Sequence, residues 1–345
     1  MKRAICLVIG LSLLPFTSAT RAQEPDPRPW VWRNLSPVEG ASPEPRSAGT
    51  AIYDPVSRRV VVFGGQTDGG HLNDVWAFDL LANQWTRLET TGEPPEPRLG
   101  ANALYDPNGH QMVIWAGQQG NRFYNDTWAL DLQSLAWRDV SPRPSDRPQA
   151  RYGSGAVFDP AERRLVQFAG FTDISRRFND TQAFDLDTLS WEEVGRTGER
   201  PEIRCLLTAA LDSPSRRMIV YGGQRNGPLD DIWAFDLATR QWTNLTPGAR
   251  PAGRMLATSF IDRDGRFIVF GGATGSGRVN ETWMFDLATL GWTELETFGP
   301  PSARDSAMGA YVEDEDRFIV IGGIANGRTN EVWELRRTSA TTLVR

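Results

Sequence analysis

The chain has 345 residues, of which 40% are hydrophobic and 23% are charged, with 33 glycines and 23 prolines. This composition excludes wholesale disorder, because apolar and aromatic residues are too abundant. No apolar run reaches the roughly 18 residues that a membrane span needs. We therefore expect a packed protein without a membrane span.

Residues 1–22 have the pattern of a secretory signal peptide, with Lys2 and Arg3 before an apolar run and small residues after it. Its removal would take away three of the 37 basic residues and none of the 43 acidic ones, changing the net charge from −6 to −9. Only Cys205 would remain, so no internal disulfide is expected. The sequence predicts a secreted or periplasmic protein. Nucleic acid is not expected as a partner, because it needs a basic surface.

After this leader, one pattern repeats six times at intervals of 49 to 53 residues. Each copy runs from Pro-x-x-Arg through an alternating segment and an apolar segment to Gly-Gly or Ala-Gly, and then through a polar loop to Trp. In most copies a second Trp follows nine residues later, while copy 3 has Gln182 at the first Trp position. The copies begin at Arg46, Arg98, Arg151, Arg204, Arg254 and Arg304. A period of this length predicts a repeat architecture.

Each copy contains four short predicted strands, a to d, which lie at about 47–53, 59–64, 74–80 and 84–89 in the first copy. The continuous apolar run at 60–63 predicts that strand b is buried on both faces. The sixth copy ends before its second Trp, and Trp32 can supply it from the other end. The pattern therefore predicts an all-β, six-bladed propeller of four-stranded blades, in which residues 30–36 complete the last blade.

The glycine pair, the first Trp ten to twelve residues later and the second Trp nine residues beyond it resemble the kelch repeat. Kelch repeats form the propeller family that includes the central domain of galactose oxidase. The resemblance covers residues 30–336 and implies antiparallel blades whose strands a line a central channel. Together with the leader, it implies an exported kelch protein of bacterial type.

The predicted organisation is a signal peptide at 1–22, a short linker at 23–29, the propeller at 30–336 and a C-terminal tail at 337–345. The predicted blades lie at about 46–90, 98–140, 151–195, 204–247, 254–297, and 304–336 plus 30–36. Spacing varies mainly in the b–c and d–a connections, which emerge on the same side of a meander. Variable loops on a rigid scaffold usually carry recognition, so we expect this rim to be the functional face.

Two interpretations of the six repeat arginines stay open. They could form a ring of guanidinium groups at the channel mouth that binds a carboxylate or phosphate ligand. Alternatively, each could pair with an acidic residue near the start of strand c, these being Asp74, Asp126, Asp180, Asp231, Glu281 and Glu331. One cation and one anion in every blade favour the structural pairing, and the arginines remain candidate binding residues.

The b–c loops of blades 2 and 3 combine arginines with aromatic rings, a composition that is enriched at binding hot spots. Other blades carry mostly small polar residues there. The predicted binding patch consists of Arg122, Phe123, Tyr124, Arg176, Arg177 and Phe178. The alternative is that the rings fold inward and cover blade 3, which lacks its Trp.

The sequence contains no assembled catalytic set. His71 and His110 fall on opposite rims, so they cannot share a copper ion, and no Gly-x-Ser-x-Gly motif occurs. Acidic turns at 262–265 and 313–316 could supply calcium ligands, although exposed turns of this kind need no metal. We therefore assign no catalytic residue, and we predict no cofactor and no metal ion.

The sequence favours a monomeric exported propeller that binds a protein or glycan through the rim of b–c and d–a loops. The alternative is an enzyme acting on an acidic sugar, similar to the sialic acid mutarotases that share this fold. An arginine facing a deep pocket beside an unpaired carboxylate would favour the enzyme. Arginines that are all paired with their strand-c acids would favour binding.

Overall fold

The computed structural model describes residues 28–173 and 176–338. These residues form β-sheets and two short 3₁₀ helices, Pro144–Asp146 and Glu313–Glu315. The predicted signal peptide, most of the linker and most of the C-terminal tail lie outside the described residues. Within the described ranges, no helix combines the length and apolar character required to traverse a bilayer.

Six antiparallel sheets follow one another along the chain, each with strands in the order a to d. The strands of blade 1 are Thr50–Asp54, Arg59–Gln66, His71–Asp79 and Gln84–Arg87. Those of blade 2 are Asn102–Asp106, Gln111–Trp115, Thr127–Asp131 and Trp137–Asp139. Those of blade 3 are Gly155–Asp159, Arg164–Phe168, Thr181–Asp185 and Ser190–Val194. The strands of blade 4 are Thr208–Asp212, Arg217–Tyr221, Ile232–Asp236 and Gln241–Asn244. Those of blade 5 are Thr258–Ile261, Arg266–Phe270, Thr282–Asp286 and Gly291–Glu294. Those of blade 6 are Met308–Val312, Arg317–Ile321, Val332–Arg337 and Trp30–Asn34.

Short strands in the connections form two further small sheets, and one short strand extends the sheet of blade 6. Gln118–Gln119 pairs with Arg122–Phe123 in the b–c loop of blade 2. In blade 5, Ala273–Thr274 pairs with both Arg254–Met255 and Gly277–Arg278. Thr297–Phe298 runs parallel to the start of Trp30–Asn34. The b–c loops of blades 2 and 5 are therefore ordered by backbone hydrogen bonds and can hold side chains in defined positions.

The leading segment supplies the fourth strand of the last blade, as the sequence predicts. Trp30–Asn34 pairs antiparallel with Val332–Arg337, so that Trp32 lies opposite Leu335. The backbone N–H of Gly323 in blade 6 also donates to the carbonyl of Arg46 in blade 1 at 2.9 Å. The inner strand Thr50–Asp54 contacts the inner strands of both blade 2 and blade 6.

The hydrophobic core is divided into six clusters, each shared by two adjacent blades. Strand b contributes most to it: Val60 and Val62 are fully buried between blades 1 and 6. Every strand-d tryptophan lies in one of these clusters, for example Trp242 against Phe168 at 4.5 Å between ring centroids. Inter-blade packing therefore accounts for the repeated tryptophans.

Strand a begins later in blade 1 than its alternating pattern predicts, at Thr50 rather than residue 47. The reason is Ala48, whose φ of 51° is left-handed, as is φ at the equivalent residue of every blade. This turn directs the N–H of Ala48 to the carbonyl of Ser306, and the N–H of Gly100 to the carbonyl of Ala48. The innermost turn of blade 1 is thus hydrogen-bonded to the innermost turns of blades 6 and 2.

We expect Trp32→Ala to lower the free energy of unfolding by about 3–5 kcal/mol, because it empties a buried aromatic site. Trp32 is 4% exposed and lies 4.5 Å from Phe270 between ring centroids. Urea unfolding followed by fluorescence measures the loss. Val38→Ala, at a side chain that is 97% exposed, is the control and should change stability by less than about 0.5 kcal/mol. Equal effects of the two variants would contradict the role of the N-terminal strand.

Candidate functional site

Each of the six repeat arginines is buried and forms an ion pair with the acidic residue near the start of strand c in its own blade. Arg204, for example, is fully buried, and its Nη1 and Nη2 donate to the two carboxylate oxygens of Asp231 at 2.6 and 2.7 Å. The other pairs are Arg46–Asp74, Arg98–Asp126, Arg151–Asp180, Arg254–Glu281 and Arg304–Glu331. The predicted structural pairing is confirmed in every blade.

The same arginines also join adjacent blades. The Nη1 of Arg204 donates to the carbonyl of Gly222 in its own blade at 3.1 Å. Its backbone N–H donates to the carbonyl of Phe178 in blade 3, and its own carbonyl accepts from the N–H of Gly170, both at 3.0 Å. The equivalent backbone bonds occur at all six arginines. The geometry thus supports a structural role for residues 46, 98, 151, 204, 254 and 304, whose side chains are at most 2% exposed.

The first Trp of each blade adds a hydrogen bond to the same acidic group. Trp233 Nε1 donates to Asp231 Oδ2 at 2.8 Å. In blade 3, which lacks this Trp, Gln182 Nε2 donates to Asp180 Oδ2 at the same distance. The amide therefore replaces the indole as a donor, and the ion pair of blade 3 has the same partners as the others.

The repeat arginine lowers the pKa of its acidic partner in blades 2, 3 and 4. Burial by itself raises the pKa of Asp231, but the hydrogen bonds and positive charge of Arg204 outweigh it, and the net effect lowers the pKa below its usual value. The pKa values of Asp126 and Asp180 are lowered in the same way. Asp126, Asp180 and Asp231 therefore act as counter-ions of buried guanidinium groups.

The structure divides the predicted binding patch into buried and accessible residues. Tyr124 and Phe178 are 5% and 7% exposed. Their rings lie against the guanidinium groups of Arg98 and Arg151, at 3.9 and 4.1 Å from the ring centroids. Both rings fold inward over buried cations: Phe178 covers Arg151 of blade 3, as the alternative interpretation predicts, whereas Tyr124 covers Arg98 of blade 2. Arg122, Phe123, Arg176 and Arg177 remain accessible at the rim.

Phe123 belongs to a triangle of three partly exposed rings at the boundary between blades 2 and 3. Its centroid lies 6.2 Å from Tyr152 and 5.7 Å from Phe171, which are 6.0 Å apart. We call Phe123, Tyr152 and Phe171 the aromatic triangle. Our sequence interpretation missed its last two members. The sequence does contain a signal for them. Blade 3 is the only copy that has an aromatic residue directly after the repeat arginine and another directly after the glycine pair.

Three arginines surround the aromatic triangle. Arg122 pairs with Glu96 at 2.6 Å, Arg177 lies 5.7 Å from the centroid of Phe171, and Arg176 lies 5.5 Å from that of Phe178. Cys205 is buried beside Arg177; burial raises the pKa of its thiol, and Arg177 offsets only part of this effect. Cys205 is therefore an inert small apolar residue under the rim.

A cavity of about 140 Å³ opens on the channel axis next to the triangle. Its wall includes Asn102, Tyr152, Ser154, Leu206, Leu256 and Ser306. The wall residues all lie in the described ranges, and none of them is charged. The cavity can accept an apolar or hydrogen-bonding group but holds neither an arginine nor a carboxylate.

A family model for the KLHDC2/KLHL20/DRC7 Kelch-repeats domain matches residues 26–205 and again residues 162–341. The chain belongs to the kelch-repeat family. Similar proteins include the host cell factor homolog hcf-1 of Caenorhabditis elegans, 26% identical over 66% of this chain and 30% of that protein. Acyl-CoA-binding domain-containing protein 5 of Arabidopsis thaliana is 26% identical over 64% of this chain and 35% of its own length.

A third relative, the leucine-zipper-like transcriptional regulator 1 homolog of Drosophila melanogaster, is 30% identical over 54% of this chain and 19% of its own length. The kelch chain thus spans about a third or less of the length of these relatives. The similarity concerns the repeat region that they share with it.

On the opposite rim of the kelch propeller, arginines neutralise the acidic turns considered for calcium. Asp262 accepts hydrogen bonds from Arg337, and Asp264 from both Arg266 and Arg337. Asp316 accepts from the hydroxyl of Tyr311 at 2.7 Å and pairs with Arg263. Among the described residues, no group of three or more potential ligands could hold a metal ion. These acids therefore join strands and blades.

We expect Arg204→Met to lower the free energy of unfolding by about 3–5 kcal/mol, because it leaves the Asp231 carboxylate without its counter-ion in a largely buried position. Denaturant unfolding measures the loss. The matched control is Arg225→Met, which breaks the exposed ion pair with Glu202 and should cost less than about 1 kcal/mol. Losses of equal size in the two variants would refute the structural role of the repeat arginines.

The lowered pKa values of these carboxyl groups predict that the folded state loses stability in acid. A group whose pKa is lower in the folded chain stabilises the fold above its unfolded pKa of about 3.9, and this contribution disappears as the pH falls through the lowered value. We therefore expect the urea midpoint to fall steadily as the pH decreases below about 4. Asp231→Asn, which removes one such group, should flatten the profile. A midpoint that is unchanged by acidification would contradict this account.

Proposed function

We propose that this kelch propeller is an exported scaffold that binds a protein partner through the rim of b–c and d–a loops, with the contact centred on blades 2 and 3. The observation that carries the proposal is the aromatic triangle. Partly exposed aromatic rings bordered by arginines match the composition of binding hot spots. Membership of the kelch-repeat family supports a scaffold role.

The export part of the proposal rests on the sequence of residues 1–22, which has the charged, apolar and small-residue segments of a signal peptide. A partner would then be met outside the cytoplasm. In the part of the chain that the structure describes, Cys205 is a free cysteine, and hydrogen bonds between adjacent blades join the sheets.

The environment of the arginines favours binding over catalysis on an acidic sugar. Such an enzyme needs an arginine that faces a pocket beside an available carboxylate. The six repeat arginines instead have their donors occupied by strand-c acids and backbone carbonyls, as in Arg98 with Asp126 and Ala116. The central cavity adds no charged group to its wall. A rim that presents aromatic rings supports recognition.

The proposal predicts that a random peptide library displayed on phage will yield binders that depend on the aromatic triangle. We expect the double variant Phe123→Ser with Phe171→Ser to weaken these binders at least tenfold, because each truncated hot-spot ring costs about 1–2 kcal/mol. Both rings are partly exposed, so urea unfolding should show that the variant remains folded.

The matched control is Leu81→Ser, which removes an apolar side chain that is 73% exposed in the c–d turn on the opposite rim. This variant should leave binding unchanged. Selected peptides that lose affinity with Leu81→Ser and keep it with the double rim variant would overturn the choice of rim.

A further inference from the structure

Arg122 and Arg176 occupy equivalent positions in two adjacent blades. Each lies four residues before the strand-c aspartate of its blade, Asp126 or Asp180. Each guanidinium also lies over the ring two residues before that aspartate, at 5.0 Å from Tyr124 in blade 2 and 5.5 Å from Phe178 in blade 3. The two b–c loops therefore present a cation in the same local setting.

Blade 2 supplies this cation with a carboxylate of its own. Glu96, two residues before Arg98, accepts hydrogen bonds from Arg122 Nη1 at 2.6 and 2.8 Å. The hydroxyl of Tyr124 lies 2.9 Å from Glu96 Oε2 and can donate to it. Arg122 is thus part of an occupied carboxylate site.

Blade 3 lacks both of these partners. Gln149 stands two residues before Arg151, at the position that Glu96 has in blade 2, and Phe178 has no hydroxyl group. In the described part of the chain, no carboxylate forms an ion pair with Arg176 or Arg177 within 4 Å. Asp173 lies in the same loop, but among the described residues neither of the two arginines forms an ion pair with it, so both guanidinium groups lack a paired carboxylate.

This arrangement differs from the b–c loops of the other blades that contain arginine. Arg225 of blade 4 pairs with Glu202, which again lies two residues before a repeat arginine. Arg278 of blade 5 pairs with Asp305 at 2.6 Å, and Arg328 of blade 6 pairs with Asp68 at 2.5 Å. A local acid therefore pairs with the rim arginine in each of these loops, although in blades 5 and 6 this acid is not two residues before the repeat arginine, where Ala252 and Ser302 lie.

We propose that Arg176 and Arg177 bind the carboxylate of an Asp or Glu side chain in an extended peptide segment, in the place that Glu96 takes in blade 2. A neighbouring aromatic or aliphatic side chain of the segment packs on the aromatic triangle, since Arg177 lies beside Phe171. This inference rests on the proposed function and names the chemistry of the partner.

The ring geometry favours a peptide over a carbohydrate. The three ring planes of the triangle are inclined to each other by 52°, 66° and 81°. Inclined rings form an angular surface that suits a branched or aromatic side chain, whereas a sugar stacks on the open face of one ring. An acidic segment also needs local cations, because a chain of net negative charge repels it elsewhere.

The test compares two synthetic peptides, Ac-Gly-Glu-Phe-Glu-Gly-NH2 and its counterpart with Gln in place of both Glu residues. Isothermal titration calorimetry measures their binding to the folded protein. We expect the acidic peptide to bind at least about tenfold more tightly, in line with a charge-assisted hydrogen bond, and the difference to shrink as salt is added.

The decisive variant is Gln149→Glu, which gives blade 3 the counter-ion that blade 2 already has and removes no side chain from the rim. It should abolish the preference for the acidic peptide, and Arg176→Gln should do the same. Glu96→Gln is the matched control in blade 2 and should keep or increase the preference, because it frees Arg122. Arg225→Gln, at a paired arginine, should have no effect.

The outcomes separate this inference from the proposed function. If neither peptide binds, or if both bind equally and Gln149→Glu changes nothing, the acidic-segment inference is overturned. The proposed function then stands or falls on the phage-selected peptides and their dependence on Phe123 and Phe171. Tighter binding of oligogalacturonate than of the acidic peptide, with the same response to Gln149→Glu, would overturn the choice of a protein segment.

Discussion

The buried ion pair between a repeat arginine and its strand-c acid is the interaction on which the rest of the structure depends. A guanidinium group can be buried only if its donors find acceptors, and Arg204 finds them in Asp231, Gly222 and the carbonyl of Glu202. Its backbone groups bind the preceding blade. One residue per repeat therefore fixes the relation of strands within a blade and of each blade to its neighbour, and the rim loops begin and end at these fixed points.

Because every blade repeats this interaction, the blades can differ at the rim without a change in the scaffold. Blade 3 has Gln182 where other blades have Trp, and the amide donates the same hydrogen bond to Asp180. The same blade brings Tyr152 and Phe171 to the surface beside Phe123. The departures from the repeat are thus concentrated around one surface, which is where a rigid scaffold can vary its recognition chemistry.

Charge at the rim follows from the distribution of local counter-ions. The protein carries more acidic than basic residues, and most of its rim arginines form ion pairs with neighbouring acids. A guanidinium group in such a pair offers little to an incoming carboxylate. Because Gln149 stands in blade 3 where blade 2 has a glutamate, the rim of blade 3 is more positively charged than the number of its arginines alone indicates. This difference leaves cations beside an apolar surface, and this combination defines the partner that we infer.

The sequence by itself determined the strand pattern, the repeat and the use of Trp32 to complete the last blade, and it favoured the pairing of each arginine with one acid. These features recur with a fixed spacing, so each copy supports the interpretation of the others. Only the tertiary structure decided which aromatic rings reach the surface. Tyr124 and Phe178 turn inward over Arg98 and Arg151, while Phe123 meets two rings from the next blade. Side-chain direction in these loops depends on contacts within the folded blade and between blades, and these contacts are not local in the sequence.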